Sequence, residues 1–212
     1  MGRIKQGILG GFSGKVGPVV GSSWKGIAVL KSKPLSVANP RTAGQVAQRN
    51  SMTALVIVCQ LYLAILIKPL WDRFAQQMSG YNAFVRANIA CFVSGVFTNF
   101  SDFVISMGKL GDTQPISTAC TASIKRCTIN FINDSGTGFK LDSDLSYAAA
   151  YNETKGIWAT QSIQSTRTTE SASCEFAEPI SIGDIIHAYL AFKRADGTIV
   201  SNSTYSTTIT VA

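Results

Sequence analysis

His187 is the only histidine in the chain, and it falls in an apolar run, 185–192, that reads as a strand. With one histidine there is no metal cluster, and no serine–histidine–carboxylate set beyond chance. Gly14-Lys15 has the look of a phosphate-binding loop. However, Leu9 stands where that motif needs a glycine, and Val16 replaces the serine or threonine that would hold magnesium. Asn133, Asp134, Asp142 and Asp144 lie close in sequence, but the spacing is not that of a calcium-binding hand, and a solvated acidic loop is the simpler reading. The remaining carboxylates are scattered among turn residues and offer no pair for general acid–base work. These residues predict no catalytic residue, no metal and no cofactor: a non-enzymatic protein.

The five cysteines, Cys59, Cys91, Cys120, Cys127 and Cys174, are odd in number and include no C-x-x-C pair. Cys59 and Cys91 read as small core residues of helices. The other three lie in strand-like segments where a bridge is permitted but not required, so the default is a reducing compartment.

Charge is unevenly placed. Residues 1–71 hold nine basic residues (Arg3, Lys5, Lys15, Lys25, Lys31, Lys33, Arg41, Arg49 and Lys68) and no acidic one. From Asp72 onward there are ten basic and twelve acidic residues, so +9 and −2 give the net +7. A basic segment of this kind fits an acidic partner surface or nucleic acid. Charged residues make up 15% of the chain, below the usual level of about a quarter, which leaves much of the surface open to cover by other subunits.

Eight of the eighteen glycines fall in residues 1–41, with single hydrophobes between them: Ile4, Ile8, Leu9, Phe12, Val16, Val19, Val20 and Trp24. Glycine at this density opposes a helix and disfavours a free-standing strand, yet a mere linker would not carry so many large apolar side chains. The expectation is an extended arm that docks on another surface through Phe12, Lys15, Val19, Val20, Trp24 and Lys25. A short strand over 24–31 would end at Lys33-Pro34. Glycines, Lys15 and Pro18 interrupt residues 7–21 before a secretory apolar region can form.

Asn39-Pro40-Arg41-Thr42 marks a helix entry, with Thr42 as N-cap and Gln45 completing a capping box. The helix runs to about 67, and Pro69 should stop or kink it before a shorter amphipathic piece ending near Met78. Its stretch 52–67 is apolar except for Thr53 and Gln60. That is shorter than the roughly 20 residues a span needs, so it reads as a buried helix and not a membrane span. A third helix covers about 81–92, with Phe84, Asn88 and Cys91 on one face. Beyond residue 99 the chain alternates apolar and polar residues in short runs: 104–107, 119–124, 127–132, 146–151, 156–160, 171–176, 185–192, 198–202 and 207–211. Asp196-Gly197 is a strong hairpin signal. The fold class is thus α+β: a basic glycine-rich extended arm (1–41), a short helical segment (42–98) and an antiparallel β-sandwich (99–212). Strand number and spacing suit an immunoglobulin-like sandwich of the fibronectin-III type.

The segment Gly7-Ile8-Leu9-Gly10-Gly11-Phe12-Ser13-Gly14-Lys15-Val16-Gly17-Pro18-Val19-Val20-Gly21-Ser22-Ser23-Trp24-Lys25-Gly26 resembles the start of domain-of-unknown-function family 6266, found in Bacteroidota and their phages. So do Asn39-Pro40-Arg41-Thr42 with Gln45 and Gln48-Arg49, and, toward the end, Tyr151-Asn152-Glu153-Thr154-Lys155-Gly156, Gly183-Asp184 and Asp196-Gly197. Asn152 is followed by Glu153 where the family usually has proline. The resemblance implies no activity; the Asn-Pro-x-Thr-x-x-Gln-x-x-Arg segment is also similar to pieces of phage structural proteins. The expected function is therefore structural: a virion component (capsid, neck or tail) assembled in the bacterial cytoplasm. Its partners would be copies of itself in a homo-oligomer or other structural subunits. Two alternatives stay open, a nucleic-acid-associated protein using the basic arm and a bacterial surface or adhesion protein using the sandwich.

Overall fold

In a computed structural model the chain forms two compact units, residues 1–42 and 43–212. The structure describes residues 3–4, 12–37, 39–161 and 163–211, without the side chains of 3, 4, 24 and 207–210. Each unit is considered by itself.

The first unit is a sheet and not a single extended arm. Its strands are β1 (Arg3–Ile4), β2 (Phe12–Val16), β3 (Val19–Trp24) and β4 (Ile27–Ser32), paired antiparallel in chain order. The glycines expected to oppose strands sit where a meander needs them. Gly17 (φ +57°) opens the two-residue turn completed by Pro18. Lys25 (φ +48°) and Gly26 (φ +83°) make the second turn, whose two positive φ values are those of a twisted hairpin. Gly21 lies against Phe12: a Cβ there would come within 2.3 Å of the Phe12 carbonyl oxygen and 2.7 Å of its ring. Glycine density here encodes turns and a close approach, not irregularity.

In the second unit α1 (Ala43–Tyr62) passes through a π-helical turn, Leu63–Ile67, into α2 (Lys68–Trp71). Pro69 does not stop the helix. A proline cannot donate to the carbonyl four residues back and crowds it, and the wider π turn just ahead of it relieves both. Residues 72–78 form turns and bends rather than the expected amphipathic helix. Helix α3 (Gly80–Asn88) starts at Ser79, whose hydroxyl accepts from the Asn82 N–H at 3.3 Å. A 3₁₀ turn (Ile89–Cys91) and the small hairpin β5 (Phe92–Val93) and β6 (Val96–Phe97) follow.

The rest of the unit is antiparallel sheet: β7 (Pro115–Thr121), β8 (Arg126–Phe131), β9 (Leu145–Asn152), β10 (Ile157–Gln161), β11 (Ser165–Thr166), β12 (Ser171–Phe176), β13 (Ile185–Lys193) and β14 (Thr204–Thr210). The chain is thus mostly β, with a helical segment. Instead of two packed sheets, the ladder runs unbroken in the order β14-β13-β9-β10-β12-β8-β7, with the short β11 added to β9. The sheet curls until its edges meet. Leu110 pairs with Ser201 in a parallel bridge, and the Thr118 and Ser206 hydroxyls lie 2.8 Å apart across the seam. Small residues on the inner face permit this curl: Ala148, Ala150, Ala159, Ala172, Cys127 and Cys174 are all buried there with Ile129, Phe131, Leu190 and Phe192. Strand count and turn spacing, from which the sandwich was expected, carry no information on which edges meet.

Strands β8 and β12 alternate half-buried and buried residues, as a sheet with one wet face must. Strands β9 and β13 are buried on both faces, because the helices cover their outer side. Leu55, Tyr62, Leu66, Trp71 and Phe84 pack there against Tyr147, Ala149, Tyr189 and Ala191. The helices and the sheet therefore share a core. The expected strand at 104–107 is absent because its polar groups are satisfied otherwise. Val104 N–H donates to the Asn88 side chain (2.8 Å), Asn88 Nδ2 donates to Val104 O (2.9 Å), and Trp71 Nε1 donates to Ile105 O (2.8 Å).

Candidate interaction surface

Register divides the first unit into two unlike faces. Residues directly opposite in an antiparallel ladder share a face, and neighbours along a strand alternate. Lys15 pairs with Val20, and Val20 with Lys31. The Lys33 N–H bonds to Pro18 O and continues the row. Lys15, Lys31 and Lys33, all exposed, therefore line one face with Ser13, Ser22 and Val29, and Arg3 takes the register position opposite Ser13. The other face holds Phe12, Gly14, Val16, Val19, Gly21, Ser23, Ala28, Leu30 and Ser32, with no charge. Val16 and Leu30 on that face are 52% and 64% exposed, and Gly21 is the one buried residue among those of this unit whose burial is described.

Of the expected docking residues, Phe12 and Val19 thus lie on the apolar face, and Lys15 and Val20 on the basic one. Trp24 and Lys25 lie at the β3–β4 turn, with the Trp24 side chain outside the described residues. Sequence reasoning left Val16 and Leu30 outside the expected docking set. Their alternation within each strand was visible, but the pairing that aligns them was not. Thr42 immediately precedes the first helical residue, Ala43, with Gln45 in the first turn.

The unit boundary also sharpens the charge pattern. Seven basic residues (Arg3, Lys5, Lys15, Lys25, Lys31, Lys33 and Arg41) and no acidic one precede Ala43, while the twelve basic and twelve acidic residues after it cancel. The whole net charge of +7 belongs to the first unit.

The second unit presents apolar surface of its own. By length and composition, residues 43–71 suffice to cross a membrane, but Leu55, Val58, Cys59, Tyr62, Leu66 and Ile67 are buried in the core. The outward side of the helix, with Met52, Ile57, Leu61 and Leu63, is exposed, and no charge lies between Arg49 and Lys68. Val93 and Val96 of the β5–β6 hairpin are likewise exposed, and a groove of about 450 Å³ opens between Trp71, Phe74, Met78, Arg86 and Met107.

Groups with chemical potential in this unit are engaged in holding the fold. His187 is buried, with Nδ1 2.7 Å from the Tyr205 hydroxyl and Nε2 3.1 Å from Glu153 Oε2, and Phe100 stacks on its ring at 3.9 Å. The Asp134, Asp142 and Asp144 carboxylates all meet protein donors. Asp142 accepts from Asn133 (2.8 Å) and Ser135 (2.6 Å), whereas Asp134 and Asp144 bracket the fully buried Arg167. Partial burial pushes the Asp134 carboxyl up, but Lys140, Thr113 and Arg167 outweigh that and hold it below the ordinary carboxylate value. Among the described residues no group of three or more histidine, cysteine or acidic side chains is placed to hold a metal. All five cysteines are free and buried. Cys120 and Cys174 each face Cys127 across the β7-β8-β12 ladder, and burial pushes the Cys59 and Cys91 thiols up to about 11.

No curated protein and no solved structure matches this chain. One family profile does, over residues 11–207, from the start of the β2 segment into β14. That span covers both units and nearly the whole sequence, and the chain belongs to the family of unknown function DUF6266.

Proposed function

We propose that this protein is a non-enzymatic assembly component whose N-terminal sheet docks on a neighbouring copy of the same chain through its uncharged face. The observation that carries this is the exposure of Val16 and Leu30 on a sheet of three main strands in which no side chain is buried among the described residues. Such a small sheet needs a surface to pack against. A second copy offers the outward side of α1, equally apolar and uncharged over Met52, Ile57 and Leu61, so no charge need be buried on either side. A phage virion, built from many copies of few chains, is the setting that suits such a subunit, with the curled sheet as its exterior body. Replacing Val16 and Leu30 together by serine should leave the second unit folded and shift the sedimenting species from an oligomer to a slower one. A double variant that sediments like the wild type would remove the reading.

A further inference from the structure

We infer that the opposite, basic face of the same N-terminal sheet binds the phosphate backbone of nucleic acid. This goes beyond the assembly reading and rests on it only in that a protein covers the apolar face. Register places Lys15, Lys31 and Lys33 on one face, with no acidic residue anywhere in the unit. Lys15 and Lys31 lie two strands apart, about 10 Å, close to the rise of three nucleotides along one strand at about 3.4 Å each. Val20 lies between them, and Ser13 and Ser22 take the next positions of the same face along β2 and β3, hydroxyls of the kind that donate to phosphate oxygens.

The remaining partner classes fit less well. A second copy offers no net complementary charge, because residues 43–212 sum to zero. A lipid surface would have to bury the apolar face of the element, which the assembly reading gives to a protein. Val16 and Leu30 lie on that face, opposite the lysines; among the residues of β2–β4 whose burial is described, Ile27 is the exposed large apolar residue on the lysine side. A backbone polyanion needs only the charge, and it needs no sequence-reading side chains.

The test is direct binding of a labelled duplex of about 30 base pairs by the full chain, from about 50 to 200 mM salt. Three lysine–phosphate contacts predict a log–log slope near −3, at about −0.9 per contact. Lys15→Gln, Lys31→Gln and Lys33→Gln should each make the slope shallower by about 1, while Lys→Arg at all three positions retains binding. The glutamine variants should keep the wild-type native mass, and the Val16/Leu30 serine variant should keep the slope per chain, which separates failure here from failure of the assembly reading. Absence of duplex binding, or a slope untouched by the triple glutamine variant, overturns the inference. So does binding of labelled polyglutamate as tight as the duplex, which would give the face to an acidic protein.

Discussion

Arg167 has no exposed side-chain surface, and neither has its partner Asp144. Its guanidinium lies 3.3 Å from Asp144 Oδ2 and 2.5 Å from Asp134 Oδ1, bonds to the Thr113 hydroxyl, and sits 4.0 Å over the Phe192 ring. One side chain thus ties the 3₁₀ turn after β11 to the 132–145 loop, the segment before β7 and the inner core. Removing one member of such a pair strands a buried charge, whereas replacing both with apolar groups costs far less. Arg167→Met should therefore lower unfolding stability by about 3–5 kcal/mol, and adding Asp144→Leu should restore much of it, as read from urea unfolding. Equal loss in the single and double variants would show that the pair is not the reason for the destabilisation. Nothing in the sequence pointed to this arginine. Asp134 and Asp144 were visible as an acidic cluster, but their cation lies 23 or more positions away, supplied by the fold.

At the scale of elements, the N-terminal sheet shows what was legible and what was not. Its strands alternate in the sequence, and Lys33-Pro34 does end the last one, yet glycine content argued for an arm. Turn chemistry decided otherwise, because Gly17-Pro18 and Lys25-Gly26 both fit two-residue hairpin turns. Gly21 is required for a different reason, contact with Phe12. Gly21→Ala should push these strands apart and speed tryptic cleavage after Lys15, Lys25 and Lys31 several-fold; unchanged cleavage would mean that Phe12 moves aside freely. Elsewhere, periodicity located α1, α3 and seven of the body's strands, since each pattern is local. It failed at 104–107, where Asn88 and Trp71 supply the hydrogen bonds of a missing strand neighbour, at 198–202, where Val200 and Ser201 form only isolated bridges, and at Pro69, where a π turn accommodates the proline. Closure of the sheet escaped it too, because edge pairing is a long-range outcome of small residues on the inner face.

For the whole molecule, the division of labour follows the charge. A neutral body buries two cores around one curled sheet, and a 42-residue unit holding all the net charge offers one apolar and one basic face. The family assignment supports neither face's role; the geometry makes the apolar face the proposed interface between copies. Light scattering of the purified chain across a concentration series tests this most directly. An interface between copies gives a mass that is a multiple of 22.6 kDa, falling to the monomer value when residues 1–42 are removed. A full chain that stays at 22.6 kDa at every concentration would contradict it.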